Sequence, residues 1–129
     1  MNKKLLITGA ILGIAGIVLG AFAAHGLEKS ISEEALGTFE TGVRYQMYHA
    51  LFLLFIGMSS FLTSKAMKSI LILVILGVIF FSGSIYGLAT NELTDFDFKK
   101  IALITPIGGL MLIISWFILL MTVAKLKSD

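Results

Sequence analysis

Arg44-Tyr45-Gln46-Met47-Tyr48-His49 leads without interruption into an apolar stretch, residues 50–62, that is rich in Leu and Phe. Charged and hydrogen-bonding side chains are costly inside a lipid bilayer unless they face headgroups, water or each other. The stretch therefore predicts a membrane span over about residues 47–62. It also places a cluster of polar side chains at the entrance to that span, which is the first place to look for function.

The composition supports a membrane environment for the whole chain. Of its 129 residues 57% are hydrophobic and 14% charged, whereas soluble domains run at about 45–50% and about 25%. The net charge is only +2, and the charges lie in short clusters between apolar runs, which argues against nucleic acid as a partner. The chain has no cysteine, which excludes disulfides and thiolate metal sites.

Three further apolar runs reach the length of about 20 residues that a bilayer core of ~30 Å requires. They cover residues 5–24, 70–89 and 101–124. With short connections, four such helices predict an all-α integral membrane protein: a single domain over residues 1–129, built as an antiparallel bundle of four transmembrane helices. The first run also has features of a cleaved signal peptide, but it is longer than a usual signal core, which favours a retained span.

The basic residues predict the orientation of this bundle. One side collects Lys3, Lys4, Lys65, Lys68, Lys125 and Lys127, and the other Lys29, Arg44, Lys99 and Lys100. The positive-inside rule then places both termini in the cytoplasm. Seven of the eight acidic residues lie on the predicted outer side.

Small residues predict how the helices pack. Gly9, Gly13, Gly16 and Gly20 fall on one narrow helix face, and the third span offers Gly83 and Gly87. Such faces let helix backbones approach closely in lipid. We favour packing within one bundle over a homo-oligomer interface. If the fourth helix begins near Thr94, Pro106 lies inside it and should kink it.

A short amphipathic helix is predicted over about residues 31–44, before the second span. Ser30 and Glu33 have the spacing of a capping box, which marks a helix start near Ile31. Leu36 and Phe39 share one face of this helix, whereas Glu40 points elsewhere. The helix either lies on the outer membrane surface or leads straight into the second span.

Helical spacing sorts the polar junction into two sets. Glu40, Arg44 and Tyr48 follow at four-residue steps, which predicts an ion pair with a tyrosine beside it. Tyr45, Gln46 and His49 fall on the other side and are expected to face the bundle interior.

Two ligand chemistries fit these side chains. Arg44 with Tyr45 and Tyr48 suits a lipid phosphate, or simply an anchor in the headgroup layer. His25, at the outer end of the first span, is expected at about the depth of His49. Two histidines at one depth can hold haem or a metal ion or relay protons, although interfacial histidines bonded to nearby groups are the more common case.

Other function classes lack the residues they need. No Asp, Glu, Lys or Arg lies in the middle of any predicted span, so an ion-coupled transporter lacks its charged pathway. The chain has no phosphate loop, nucleophile elbow or zinc-protease motif. We therefore expect no catalytic residues, no enzymatic activity and no cofactor.

Two motifs resemble a known family. They are Gly20-Ala21-Phe22-Ala23-Ala24-His25-Gly26-Leu27 and the run of residues 39–51 that contains the polar junction. Together, and over essentially the whole chain, they are similar to the YgdD/YwdK-like family of small bacterial inner-membrane proteins, a domain of unknown function. The resemblance implies a retained first span and a four-span fold. It also highlights His25, Glu40, Arg44, Tyr45, Gln46, Tyr48 and His49, and it implies no activity.

Three functional hypotheses follow. The first is a structural or accessory role in which the outer helix and the polar junction bind lipid headgroups, a partner membrane protein or a second copy of the chain. The alternative is a small channel or carrier with a polar mouth, whose path would continue through Ser60, Ser84 and Ser115. The third is haem or metal binding by His25 and His49.

Overall fold

A computed structural model describes residues 1–128, and within that range the protein is helical and has no β-strand. Its α-helices are α1 (Lys3–His25), α2 (Glu33–Met58), α3 (Ser64–Val78), α4 (Ser84–Ala89) and α5 (Ile104–Ala124). A π-helical segment, Ile79–Gly83, joins α3 to α4 in one continuous column. Short 3-10 turns follow α1 and α4, at Leu27–Lys29, Asn91–Leu93 and Phe98–Ile101. The predicted all-α fold is confirmed.

Three stretches are long and apolar enough to cross a membrane: Lys3–Lys29, Ser64–Ala89 and Ile104–Ala124. The α2 helix is not among them, although its 26 residues reach about 39 Å at 1.5 Å per residue. Its first half carries three glutamates and Arg44, which lower its hydropathy. A fourth crossing by α2 stays a prediction, supported by its packing along the full length of α1.

The glycine face of α1 packs on α2. A Cβ added at Gly9 would lie 2.9 Å from the Ala50 carbonyl oxygen, and one at Gly16 would overlap the Met47 side chain. Gly20 faces Val43 at 3.5 Å, and Gly13 has more room, with 3.9 Å to the Ala50 Cβ. These glycines therefore serve packing within the bundle, in which α1 runs antiparallel to α2.

Glycines also lie where α5 meets the π-helical segment and where α4 meets the turn at Phe98–Ile101. An added Cβ at Gly108, in α5, would collide with the backbone of Phe80 and Phe81 in the π-helical segment. Gly87 faces the ring of Phe98. The predicted packing role of Gly83 is wrong, because a Cβ there would meet nothing within 4 Å.

The helix starts differ from prediction at two places. Ser32, and not Ser30, caps α2, accepting a hydrogen bond from the Ala35 N–H at 3.1 Å. The predicted outer helix and second span are therefore one helix. The α5 helix begins at Ile104, so Pro106 lies in its first turn, where a missing N–H removes no intrahelical bond. The predicted kink at Pro106 is wrong for that reason.

The connections define two ends of the bundle. The acidic end carries residues 26–32 and 90–103, and the termini end carries the first residues, the 59–63 loop and residues 125–128. At the termini end, the Asn2 N–H donates to the Gly57 carbonyl at 2.7 Å, which ties the start of α1 to the end of α2. One buried cluster around Leu53, Ile56 and Val74 fills the termini half, and a second around Phe39 and Leu27 fills the acidic half.

Candidate functional site

The polar junction lies in the middle of the bundle rather than at its rim. The Gln46 side chain bonds to the Leu12 carbonyl, and Leu12 is the tenth of 23 residues in α1. Gln46 is itself the fourteenth of 26 residues in α2. The prediction of a span entrance at Arg44–His49 is therefore wrong, because α2 is already helical fourteen residues before Met47.

Gln46 joins three helices. Its Nε2 donates to the Leu12 carbonyl in α1 at 2.9 Å, and its Oε1 accepts from the Tyr86 hydroxyl in α4 at 2.7 Å. A backbone carbonyl can only accept, so the two contacts together determine which way the amide points. Gln46 is only 4% exposed, and both of its ends are satisfied. The predicted inward orientation of Gln46 agrees with the structure.

Both ring nitrogens of His49 are hydrogen-bonded, and the two partners define its tautomer. Nδ1 lies 2.7 Å from the Tyr45 carbonyl, which accepts, so Nδ1 carries the proton. Nε2 accepts from the Trp116 indole N–H at 3.1 Å, across the gap between α2 and α5. The imidazole is thus neutral, is 4% exposed and has no free nitrogen for a metal.

His25 lies far from this centre. It is exposed in the last turn of α1, and the thirteen residues from Leu12 to His25 correspond to about 20 Å along the helix. The expectation that His25 and His49 share a depth is wrong, since the second span was predicted to begin at Met47 but α2 packs along α1 well before that residue. Within residues 1–128, no three metal-ligating side chains come together. A bis-histidine haem or metal site does not fit this geometry.

Arg44 is exposed and turns toward the acidic end. Its Nη2 donates to the Thr41 Oγ1 at 3.0 Å, so its partner is Thr41 rather than the predicted Glu40. Thr41 and Tyr45 are four residues apart and share a helix face. The guanidinium is therefore drawn to the side of α2 on which Tyr45 lies. Glu40 and Tyr48 are also exposed.

A lateral groove of about 600 Å³ separates α2 from α5. Tyr45 and His49 line its α2 side, and Phe81 of the π-helical segment lies behind them. On α5 the lining runs from Gly109 to Leu120, about 16 Å at 1.5 Å per residue. Most of the surface is apolar or aromatic, and Phe52 stacks on Trp116 with ring centroids 4.2 Å apart.

Aromatic rings form the wall of the groove nearest to Arg44. The Tyr45 ring meets Phe81 edge-on at 5.0 Å and Tyr48 at 5.6 Å between centroids. Tyr45 is 40% exposed, so the prediction that it faces the bundle interior holds only for the part of its ring that lines the groove.

The three serines of the proposed channel path do not meet. Ser115 donates to the Leu112 carbonyl of its own helix, and Ser84 contacts Thr105 near the start of α5. Ser60 is exposed in the loop at the termini end. Within residues 1–128, these three serines therefore form no continuous polar path.

Several residues of the site were not predicted. They contact the polar junction from other helices: Trp116 bonds to His49, Tyr86 to Gln46, and Phe81 packs on Tyr45. The Ser82 hydroxyl donates to the Gly42 carbonyl at 2.7 Å. A signal existed for one of them. Trp116 is the only tryptophan, and it lies in the middle of a span, whereas membrane tryptophans prefer the interfaces. A tryptophan at that depth needs a hydrogen-bond partner, and His49 is the one it has.

Comparison with known proteins places the chain in a family. The family described as "Protein of unknown function (DUF423)" matches residues 19–109. The chain belongs to this family. Its relatives include UPF0382 membrane proteins of Staphylococcus haemolyticus, 41% identical over 95% of this chain and 97% of the relative, and of Haemophilus influenzae, 36% identical over 99% of both chains. YwdK of Bacillus subtilis, also a UPF0382 membrane protein, is 37% identical over 95% of this chain and 98% of its own length.

The family membership confirms the resemblance carried by the two sequence motifs. The matched segment contains both of them and extends to the start of α5, so it includes the α2 side of the groove together with Phe81 and Gly109. No solved structure matches the chain. The relatives are named as membrane proteins, in agreement with the apolar helices found here, and the family description assigns no activity.

Proposed function

We propose that this protein is a non-enzymatic accessory protein of the bacterial plasma membrane that binds a phospholipid. The headgroup phosphate binds the Arg44 guanidinium, which reaches from the middle of the bundle toward the acidic end, and one acyl chain occupies the groove between α2 and α5. The observation that carries the proposal is the lateral apolar groove, which is lined by Tyr45, the residue that follows the only arginine in the sequence.

The groove has dimensions suited to an acyl chain. Its volume of about 600 Å³ lies within the roughly 300–1,000 Å³ of small-molecule sites. Its length along α5 is about 16 Å, close to half of a ~30 Å hydrocarbon core. An apolar chain inserted there contacts the rings of Trp116 and Phe117 rather than bulk lipid.

Arg44 is suited to the phosphate. A guanidinium carries five N–H donors in a planar fork and binds phosphate oxygens in pairs. The single hydrogen bond to Thr41 holds the fork toward the groove side of α2 while leaving donors for a ligand. Tyr48, half exposed one turn further along α2, packs edge-on against Tyr45, which lines the groove.

Native mass spectrometry of protein released gently from its own membrane tests the proposal. We expect wild-type protein to retain phospholipid, and Ile113→Trp to lose most of it because the indole fills the groove. Ile107→Trp is the matched control, since Ile107 is similarly exposed on α5 but does not line the groove. Arg44→Gln should weaken retention about tenfold, the effect of losing a charged hydrogen bond. Bare wild-type protein, or equal retention by the two tryptophan variants, would overturn the proposal.

We further propose that both termini face the cytoplasm, as the distribution of lysines suggests. Because the chain has no cysteine, single cysteines report sidedness cleanly. In intact cells an impermeant maleimide should label Asp95→Cys, at the acidic end, and should reach Lys127→Cys only after the cells are opened. The reverse labelling pattern would show that both termini face outward.

A further inference from the structure

The charge pattern around Arg44 is unusual for a phosphate site. The acidic end, together with the first half of α2, carries seven acidic residues and four basic ones. A surface of net negative charge repels an anionic headgroup. A phospholipid that carries a positive group as well as a phosphate is repelled less than an anionic one.

Glu40 is the acid best placed to meet that positive group. It precedes Arg44 by four residues, so the two side chains start about 5–6 Å apart on neighbouring turns of α2. The Arg44 guanidinium turns to Thr41, and Glu40 stays exposed one turn nearer the acidic end. Along α2, Glu40 therefore lies nearer the acidic end, and Arg44 lies nearer to Tyr45, which lines the groove.

We infer that the preferred ligand is a zwitterionic phospholipid with a primary amine, of the phosphatidylethanolamine type. This inference rests on the proposed function. The phosphate accepts hydrogen bonds from Arg44, and the ammonium, which lies beyond the phosphate in such a headgroup, donates to the Glu40 carboxylate. Phosphatidylglycerol brings the same phosphate and the same chains but no cation for Glu40, and it meets the negative field of the acidic end.

A competition experiment tests the headgroup preference. The full chain is reconstituted in vesicles that contain equal amounts of phosphatidylethanolamine and phosphatidylglycerol with identical acyl chains, then released and weighed by native mass spectrometry. We expect the wild type to retain the ethanolamine lipid about threefold over the glycerol lipid, the scale of one exposed ion pair.

Two variants distinguish the effect of Glu40 on lipid preference from the effect of the net charge of the acidic end. Glu40→Gln should remove most of the preference by lowering retention of the ethanolamine lipid, while the glycerol lipid should be retained at least as well as by the wild type. Glu28→Gln makes the same change in net charge at an exposed residue of the turn after α1, which does not line the groove, and should leave the preference unchanged.

The outcomes distinguish this inference from the proposed function. Retention of both lipids without preference, preference for the glycerol lipid, or an equal loss of preference in Glu28→Gln would overturn the role of Glu40 while leaving a lipid-binding groove. If the wild type retains neither lipid, both the inference and the proposed function fail.

Discussion

Trp116 donates its indole N–H to Nε2 of His49 at 3.1 Å, and this hydrogen bond links α5 to α2 near the middle of the bundle. Trp116 is the thirteenth of 21 residues in α5, a depth at which an unpaired indole N–H is costly. His49 can accept only because its other nitrogen donates to the Tyr45 carbonyl. The two side chains also form part of the groove wall, so the same bond positions the site and connects two helices.

Breaking this bond should destabilise the protein, and the two partners should not act independently. We expect His49→Ala and Trp116→Phe each to lower the free energy of unfolding by about 1–3 kcal/mol, the cost of leaving a buried partner unsatisfied. The double variant should lose less than the sum of the two, by about 0.5–3 kcal/mol. Denaturant unfolding in detergent, followed by circular dichroism, measures all three variants. Tyr48→Phe, at a half-exposed ring, serves as a control with little effect, and strict additivity would contradict the coupling.

Gln46 should tolerate an apolar substitute better than a charged one. Gln46→Leu removes one hydrogen bond to Leu12 and one from Tyr86, for which we expect a loss of about 1–3 kcal/mol. Gln46→Glu keeps the acceptor for Tyr86 but sets a carboxylate oxygen against the Leu12 carbonyl in a buried site. Its loss should be larger, because a buried charge without a partner is more costly than a missing amide. A thermal midpoint for Gln46→Glu at or above that of Gln46→Leu would show that the contact to Leu12 is wrong.

Two glycine-to-alanine changes in α2 should have opposite effects on the free energy of unfolding. A Cβ at Gly42 would lie 2.6 Å from Cε1 of Tyr86, whose ring is held by its hydrogen bond to Gln46 and by Phe39. We expect Gly42→Ala to destabilise by about 1–3 kcal/mol through overpacking. Gly37→Ala meets nothing within 4 Å and should stabilise the helix by about 0.5–1 kcal/mol. Unfolding midpoints of the pair, measured side by side, test the packing of α2 against α4; a shift in the same direction for both would refute it.

Pro106→Ala should have little effect on stability. Pro106 is in the first turn of α5, where its fixed backbone angle is acceptable and its missing N–H has no intrahelical partner. We expect a change within about 0.5 kcal/mol, as for a substitution away from any special feature. A proline inside a helix would instead cost about 3 kcal/mol, so a clear stabilisation by alanine would restore the kinked helix that the sequence suggested.

The sequence predicted the helices better than it predicted their beginnings. Apolar runs of span length required helices, because every backbone hydrogen bond must be made internally in lipid. The start of α2 was missed because Ser30 and Ser32 both have the local chemistry of a cap, and only Ser32 has the geometry. The depth of His49 was wrong for a different reason: the second span was predicted to begin at Met47, whereas α2 begins fourteen residues earlier, at Glu33, and packs along α1.

The sequence by itself determined that this protein is an all-α membrane protein, that the glycine face of α1 can pack closely, and that the polar side chains cluster around residues 44–49. The tertiary structure alone decided what those side chains meet. Gln46 finds Tyr86, and His49 finds Trp116, across separations of 40 and 67 residues. Helical periodicity assigns a side chain to a face of its own helix but cannot say which distant helix lies opposite, because that depends on packing the whole bundle. The groove also depends on this packing, because it exists only where the surfaces of α2 and α5 are not in contact.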